Sequence, residues 1–386
     1  MPLYLGLDAG ALGLTAIIID IQGDLRRVVF NGALNFDRGL AECDTAAAPP
    51  LILADTLDRM MGRLAATAEI EVEDIRAISG SSLAQARVDF VSRAVDSNAF
   101  KSSIALARQL EPGVGPSDLV SSYLQGLLAG SDDRLASYWQ KRYALPNAAI
   151  VPWADDRVSR SIGMGVIHEG VLGIAFGTTD VVSTSTTFLS FRNGEMAREL
   201  MRMEHRLEWD AVARLLEESP GNAGWVMLPW VELETTPPIA HAGVRRFGFD
   251  RHNAARNMRS LIEGQMMAMA NHVQTIGGAA IEKVLAIGDA AAHRAILQVM
   301  ANVFGAEVYR LETEYPAALG AALRAYHADR LVTGDPVSWT TVVSGFTDPK
   351  PGHRVSPNPK HTAMYAWLRK DYAMLERLHQ DRAPIC

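Results

Sequence analysis

The chain has 386 residues, of which 48% are hydrophobic and 21% charged, and its formal net charge is −7 at pH 7. This length predicts two domains, and the acidic balance disfavours nucleic acid as a partner, because that partner requires clustered Lys and Arg. The two cysteines, Cys43 and Cys386, form no Cys-x-x-Cys pair, so neither a disulfide scaffold nor a zinc site is expected, and a reducing, cytoplasmic location fits.

The N-terminal half predicts a β-meander followed by alternating helices and strands. Its first ten residues have no basic region, and no run of 18 apolar residues occurs in the chain, so neither a signal peptide nor a membrane span is expected. Glycine turns separate three short apolar or β-branched runs, Leu3–Leu7, Thr15–Ile21 and Leu25–Phe30. The following patterns predict a helix, a strand and two further helices over Pro50–Ala68, Asp74–Ser79, Ser103–Leu110 and Leu119–Leu128. This alternation indicates a mostly parallel sheet covered by helices.

The second half opens with a similar pattern. Gly170–Phe188 again combines an apolar strand, a turn with hydroxyl residues and an Asp, and a β-branched strand. Two such hairpins indicate two similar α/β domains, which we place at 1–168 and 169–386. Later patterns predict a Met-rich core helix, a strand–turn–helix–strand unit, a further helix and a terminal helix docking on the second domain, at Asn257–Ile276, Leu285–Val308, Pro316–Leu323 and Thr362–His379.

Three acidic residues of the first half are candidates for chemistry. Asp8 ends an apolar strand, where a carboxylate can hold Mg²⁺ near phosphates, directly or through water, and a turn or cap role is the alternative. Asp155 and Asp156 precede a helical stretch, whose dipole stabilises a carboxylate at its N-terminus. A carboxylate there can accept a proton from a substrate hydroxyl, and the alternative is an N-cap role.

Two glycine turns of the second half are candidates for phosphate or nucleotide binding. Gly177 is followed by Thr178 and Thr179, which add backbone N–H groups and hydroxyls, although ordinary β-turns have the same composition. Gly288 lies between a strand and a helix, where free N–H groups and the helix dipole favour phosphate. The next residue is Asp289, at a position where such a site favours glycine.

Several other motifs are absent from the sequence. It contains no GxxxxGK[ST] loop and no GxGxxG after a first strand, which disfavours a P-loop enzyme and a dinucleotide dehydrogenase. It also lacks GxSxG and HExxH, and its histidines show no metal-ligand spacing. Glu234, in a proline-rich loop, is interpreted from the residues alone as a solvated loop acid.

Five segments, in their order, resemble the FGGY carbohydrate kinase family, whose members have the actin-like ATPase fold. The similar segments are Tyr4–Gly10, Asp156 with Gly163 seven residues later, Gly173–Thr179, Leu228–Pro237, and Ile287–Gly305 with Pro316–Ala322. The resemblance implies an α/β protein of two actin-like, ribonuclease H-like domains. Each would have a mixed sheet covered by helices, with the active-site cleft between the domains.

The resemblance also implies transfer of the ATP γ-phosphoryl group to a hydroxyl of a small sugar, polyol or related compound. Asp156 would be the general base and Asp8 would help to hold Mg²⁺. The implied phosphate contacts are Gly10, Gly177, Thr178 and Thr179, the adenosine contacts are Gly288 and Ala291, and the sugar contacts are Ser81, Asp155 and Glu234. No partner beyond the small-molecule substrate is implied, and a homodimer stays open.

The sequence departs from the family pattern in both its sugar-binding and its nucleotide-binding segments. It is shorter than typical members, mainly between residues 85 and 150, and Ser81–Ala84 replaces the family's Gln-Met-His-Gly. Its nucleotide motifs carry Ala11, Thr15, Asp180 and Asp289. Each added carboxylate would oppose a phosphate charge by about 1 kcal/mol in water, unless it binds magnesium or points away. Two alternatives therefore stay open: a relative that binds a sugar-like ligand or a protein without ATP, and an enzyme that uses GTP or pyrophosphate.

Overall fold

The computed structural model describes residues 2–10, 13–36, 50–68, 70–82, 119–130 and 132–380. The chain forms two compact units, one from Met1–Gly165 with Thr313–Asp348 and the other from Val166–Glu312 with Pro349–Cys386. The division predicted from the sequence, 1–168 and 169–386, differs from these units in two respects. The first boundary falls after Gly165 and not after residue 168. Thr313–Asp348 belongs to the first unit, because a helix within it packs on the first unit's central strands. The helix predicted over Ser103–Leu110 lies outside the described residues.

The strands follow the predicted hairpins. In chain order they are β1 (Leu3–Ala9), β2 (Gly13–Gln22), β3 (Leu25–Asn35), β4 (Ile75–Ser82), β5 (Ala149–Ile150), β6 (Ala154–Asp155), β7 (Val171–Ala175), β8 (Asp180–Ser183), β9 (Phe188–Phe191), β10 (Val226–Leu228), β11 (Arg245–Phe247), β12 (Lys283–Ile287), β13 (Glu307–Arg310) and β14 (Arg354–Val355).

The α-helices cover these strands. In chain order they are α1 (Pro50–Ala65), α2 (Leu119–Leu128), α3 (Ser137–Tyr143), α4 (Asp156–Gly163), α5 (Glu195–Glu204), α6 (Trp209–Glu218), α7 (Ala254–Thr275), α8 (Arg294–Phe304), α9 (Pro316–Val332), α10 (Trp339–Val343) and α11 (Pro359–His379). Short 3₁₀ turns occupy Val72–Asp74, Pro220–Gly224, Asp289–Ala292 and Pro351–His353. In the part of the chain that the structure describes, no helix is both long and apolar enough to cross a membrane.

The two units repeat one sheet topology. In the first, β1, β2 and β3 form an antiparallel meander, and β4 pairs parallel with β1 and carries β5 and β6, giving the order β3-β2-β1-β4-β5. In the second, β7, β8 and β9 form the meander, and β12 and β13 add in parallel, giving β9-β8-β7-β12-β13 with β14 at the edge. The duplication predicted from the two hairpins is confirmed, and both sheets are mixed.

Each unit has its own hydrophobic core. The first core joins the inner faces of β1, β2 and β4 to α1, with Leu5, Leu57 and Ile78 fully buried. The second core is built on the Met-rich helix α7, whose Met258 and Met266 are fully buried, so the packing role assigned to these methionines is confirmed. The terminal helix α11 packs on α7 and α8 through residues such as Tyr365, as predicted.

Helix α9 lies against β1, β4 and α4 in the first unit. The backbones of α4 and α9 approach closely because glycine occupies both sides of the contact. A methyl group at Gly163 would lie 1.8 Å from the Pro316 carbonyl oxygen, and one at Gly320 would lie 1.7 Å from that of Ser159. This contact fixes the position of α4, the helix that begins with Asp156.

Candidate active site

Three neighbouring strands bring the acidic residues of the first unit together. In the register, Asp8 on β1 faces Ser81 on β4, and Ser81 faces Ala154 on β6, directly before Asp155 and Asp156. The side chain of Ser81 is buried, and its Oγ donates a 2.6 Å hydrogen bond to Oδ1 of Asp8. Ser81, for which the resemblance implied a sugar contact, is therefore the hydrogen-bond partner of Asp8.

The carboxyl group of Asp8 holds its proton more tightly than an ordinary aspartate does. Burial raises the pKa of this carboxyl from 3.8 to about 6. The Ser81 hydrogen bond and the Arg160 charge lower the pKa, whereas the nearby Asp156 carboxylate raises it. Asp8 and Asp156 are thus close enough for their charges to interact, with Arg160 as the neighbouring cation.

Asp155 is the N-cap of α4. Its Oδ1 accepts a 2.9 Å hydrogen bond from the Arg157 backbone N–H, and its carboxylate also accepts two bonds from the Arg157 guanidinium, at 2.8 and 2.7 Å. Burial favours the protonated acid, but the Arg157 contacts outweigh it and lower the pKa of Asp155. The N-cap interpretation is confirmed for this residue.

Asp156 is the first residue of α4 and is 4% exposed. Burial raises its pKa, Arg160 opposes that rise, and the Asp155 charge adds to it. Oδ2 of Asp156 accepts a 2.6 Å bond from Arg160 one helical turn later. Arg160 was not among the predicted site residues, although its i,i+4 spacing from Asp156 is a signal that the sequence carries.

The β1–β2 hairpin places Gly10 beside this cluster. Its backbone N–H donates to the Gly13 carbonyl oxygen at 2.9 Å, so this donor is used within the hairpin. Thr15 on β2 pairs with Asp8 in the antiparallel ladder. Ala11, one of the departures from the family pattern, lies outside the described residues.

The second unit carries both predicted glycine turns, and the two lie against each other. The turn after β7 exposes Thr178 and Thr179 and leaves Gly177 partly buried. The Phe176 N–H donates to the Ile287 carbonyl oxygen at 2.9 Å, at the end of β12. Gly288 follows with φ of 93°, and a methyl group there would lie 2.0 Å from the Phe176 carbonyl oxygen. Only glycine fits this approach.

A pocket of about 250 Å³ opens beside these turns. The Trp209 and His293 rings stack at its wall, with centroids 4.3 Å apart and planes 20° apart. Burial lowers the pKa of His293, so its ring is neutral at pH 7. The lining residues are Phe176, Gly177, Glu195, Arg198, Glu199, Trp209, Asp289, Ala290 and His293.

One expectation for this pocket changes. Both Ala290 and Ala291 are buried in the hydrophobic core, but the alanine that lines the pocket is Ala290 and not Ala291. The shift by one residue arises because Asp289–Ala292 forms a 3₁₀ turn, in which neighbouring side chains point about 120° apart. Asp289 is exposed and does line the pocket.

Asp180 faces the protein interior. It is fully buried, and its carboxylate forms two parallel hydrogen bonds with the buried Arg198 guanidinium, at 2.7 and 2.9 Å. Its Oδ1 also accepts a 3.1 Å bond from the Gly177 N–H. The sequence left open whether this added carboxylate opposes phosphate, binds magnesium or points away. In the structure it points away from the exposed turn, and the Arg198 cation neutralises it.

Glu234 is buried, so its interpretation as a solvated loop acid is wrong. Its Oε1 accepts bonds from the backbone N–H groups of Arg192 and Thr235, at 2.6 and 2.7 Å. Its Oε2 accepts bonds from the backbone N–H and the side-chain amide of Asn193, at 3.1 and 2.9 Å. The three bonds from Arg192 and Asn193 join the proline-rich loop to the segment before α5, and the bond from Thr235 lies within the loop.

The described residues contain no group of three or more His, Cys, Asp or Glu side chains that could hold a metal ion. Mg²⁺ commonly binds through one or two carboxylates, with waters and substrate phosphates completing its shell. The pair formed by Asp8 and Asp156 fits that requirement, since the Asp156 charge raises the proton affinity of Asp8 and a cation would relieve this repulsion.

The repeated sheet topology defines a two-domain protein of the actin-like ATPase fold, and solved structures agree. Xylulose kinase from Rhodospirillum rubrum aligns with a TM-score of 0.75 and 17% identity, over 97% of this chain and 98% of that one. Ligand-bound xylulose kinase from Lactobacillus acidophilus aligns with a TM-score of 0.73 and 16% identity, over 98% of each chain.

Sequence comparison then gives the family. Residues 172–328 match the C-terminal domain of the FGGY family of carbohydrate kinases. The chain is 30% identical to xylulose kinase of Rattus norvegicus over 285 residues, which are 65% of this chain and 52% of that protein. These comparisons support the predicted resemblance to FGGY carbohydrate kinases, and the chain spans about half the length of the relatives it matches in sequence.

Proposed function

We propose that this protein transfers the γ-phosphoryl group of ATP to a hydroxyl of a small sugar, polyol or related compound. The observation that supports it most is the pair of carboxylates formed by the partly buried Asp8 and the buried Asp156, with Arg160 beside them, in a chain whose residues 172–328 match the FGGY family. Phosphoryl transfer requires a positioned hydroxyl and neutralised phosphate charge, and this cluster offers groups for both requirements.

In this proposal Asp156 is the general base. Its burial raises the proton affinity of the carboxylate, which favours acceptance of a proton from the attacking hydroxyl. The 2.6 Å bond from Arg160 holds Oδ2 in place, and the Arg160 charge opposes the rise of the pKa and so favours the ionised form of the base. The contact between α4 and α9 fixes the helix that carries both residues.

Asp8 is proposed to hold Mg²⁺, directly or through water, in the orientation that the Ser81 hydrogen bond gives it. The metal would neutralise charge on the transferred phosphate. The turn of Gly177, Thr178 and Thr179 is proposed to bind phosphates and the pocket beside Gly288 to bind adenosine, with its wall formed by stacked Trp209 and His293. Stacked aromatic rings beside a glycine turn suit a purine nucleoside.

The sugar contacts are proposed with one change. Ser81 and Asp155 remain proposed sugar contacts, because Ser81 is hydrogen-bonded to Asp8 and Asp155 directly precedes Asp156. For Glu234 we propose a role in holding its loop, because its two oxygens already accept four N–H groups.

An ADP-release assay against a panel of sugars, polyols and their acids, with xylulose included, tests the proposal. We expect at least one acceptor to raise ADP release above the rate with ATP alone. Calorimetry with Mg-ATP provides the control, because absence of binding at millimolar ATP would favour the relative that uses no ATP. Parallel assays with GTP and pyrophosphate separate an enzyme with a different donor from one without activity.

A further inference from the structure

The buried ion pair of Asp180 and Arg198 connects three separate segments around the Gly177 turn. Asp180 begins β8, directly after the turn, and Arg198 lies on α5. Their exposures are 0% and 2%, so water does not weaken the pair. The guanidinium also lies over the Phe176 ring, 5.2 Å from its centroid. The turn is therefore held on both sides by one arginine.

Gln265 on α7 joins this pair to the start of α5. Its side-chain oxygen accepts a 3.2 Å bond from Arg198, and its side-chain nitrogen donates to the carbonyl oxygens of Asn193 and Gly194, at 2.6 and 3.2 Å. Gln265 is 4% exposed, and every one of these bonds lies within the second unit.

The backbone adds a further connection between the same segments. The Glu195 N–H donates to the Gly177 carbonyl oxygen at 2.9 Å. A methyl group at Gly194 would lie 2.7 Å from both that oxygen and Oδ1 of Asp180, so the two segments are in close contact. Together these bonds define the turn frame, formed by Asp180, Arg198 and Gln265.

We propose that the turn frame is a positioning device for the phosphate-binding turn. The Asp180 carboxylate accepts the Gly177 N–H and thereby fixes the conformation in which Thr178 and Thr179 are exposed. Arg198 supplies the charge that makes this buried carboxylate stable. Asp180, which departs from the family pattern, then orders the turn instead of repelling phosphate. The expected effect of the turn frame on enzyme kinetics rests on the proposed function, whereas its effect on the order of the turn does not.

An apolar replacement of the ion pair separates positioning from stability. Leu has the branched shape of Asp and Met the linear stem of Arg, and replacing a buried pair by apolar residues of similar volume often leaves stability unchanged. Asp180→Leu with Arg198→Met should therefore fold, but it lacks the acceptor for the Gly177 N–H. The single variant Asp180→Asn, which leaves Arg198 without its counter-charge, is expected to lower Tm instead.

Hydrogen exchange measured by mass spectrometry is the structural test, on the full chain without ligand. In the folded double variant we expect peptides containing residues 176–180 to exchange at least tenfold faster than in the wild type, while peptides of β1 and β4 do not change. A control that removes the exposed pair Arg251 and Glu204, by Arg251→Ala with Glu204→Ala, should leave the turn's exchange unchanged. Unchanged exchange at 176–180 in the folded double variant would overturn the proposal.

The kinetic arm uses whichever acceptor the ADP-release assay identifies. We expect kcat/KM for ATP to fall at least tenfold in the double variant while KM for the acceptor stays within twofold. Equal activity of a double variant that does show faster exchange would also overturn the positioning role. If the wild type turns over no acceptor, the proposed function fails, and the exchange result still decides whether the frame orders the turn.

Discussion

At Glu263 on α7, burial leaves a carboxyl group with a strongly shifted titration. The residue is 1% exposed, and its Oε1 accepts 2.8 Å bonds from the Tyr365 hydroxyl and the Gly221 N–H. Burial raises its pKa from 4.5 to about 7, against the lowering effects of those bonds and of Arg259. The folded state therefore binds this proton more tightly than the unfolded chain, and stability decreases as pH rises from about 4.5 through 7.

Glu263→Gln removes that titration and keeps an acceptor oxygen. We expect the variant to be more stable than the wild type at pH 8, by up to about 3 kcal/mol at about 1.4 kcal/mol per pKa unit, and the difference to disappear near pH 4. Denaturant unfolding at both pH values measures it, with exposed Glu217→Gln as the control. A stability difference that is the same at pH 4 and pH 8 would contradict this account.

Asp289 gives a second prediction at the scale of one residue. It is exposed in the pocket beside Gly288, where its charge would oppose the phosphates of ATP. A penalty of about 1 kcal/mol predicts that Asp289→Asn lowers KM for ATP about fivefold. The effect should decrease at high salt because exposed charges are screened. Titration of ATP at two salt concentrations tests this, with exposed Glu282→Gln as the control, and an unchanged or raised KM would show that Asp289 does not face the donor.

The residues also show what the sequence alone can predict about the candidate site. Asp8 and Asp156 were found because each occupies a strand end or helix start, which local patterns reveal. Arg160 could have been found by its helical spacing. Arg198 and Gln265 could not, since Asp180 and Arg198 are 18 positions apart and Arg198 and Gln265 are 67 apart, and only the packing of three elements joins them.

At the scale of elements, the α4–α9 contact depends on its two glycines. We predict that Gly163→Ala or Gly320→Ala lowers the free energy of unfolding by at least about 1–3 kcal/mol, because a methyl group would overlap a backbone carbonyl oxygen. Turnover should decrease as well, since α4 carries Asp156. Gly126→Ala on α2 is the matched control, because nothing lies within 4 Å of an added methyl there and alanine favours a helix. Equal stability of all three variants in urea would contradict the close contact.

Local patterns predicted most elements but not their ends. The Met-rich helix was placed at Asn257–Ile276 and spans Ala254–Thr275, where the Asn253 side chain caps its first turn. In the unit predicted at Leu285–Val308, a 3₁₀ turn precedes an α-helix of 11 residues, Arg294–Phe304, which the pattern did not distinguish. The helix ends at Gly305, because φ of 66° favours glycine there.

At the scale of the molecule, the duplicated topology explains why motif order identified the fold. Four of the five motifs lie at strand ends of the two similar sheets, so their order along the chain reflects the repeated order of β1 to β4 and β7 to β12. The fifth, Leu228–Pro237, follows β10 of a separate two-stranded sheet. The division into units could not be predicted fully from the sequence, because Thr313–Asp348 joins the first unit through contacts of α9 that no local pattern contains. A homodimer stays a prediction, which light scattering on the purified chain would test.

The central claim is phosphoryl transfer with Asp156 as the base, and the most direct test follows phosphate-ester formation from Mg-ATP by ³¹P NMR. We predict that the wild type forms a sugar or polyol phosphate and that Asp156→Asn lowers kcat by about 10²–10⁴-fold, with ATP binding unchanged by calorimetry. Full turnover by Asp156→Asn would remove this residue as the base. Absence of any phosphate ester from the wild type across the acceptor panel would contradict the claim as a whole.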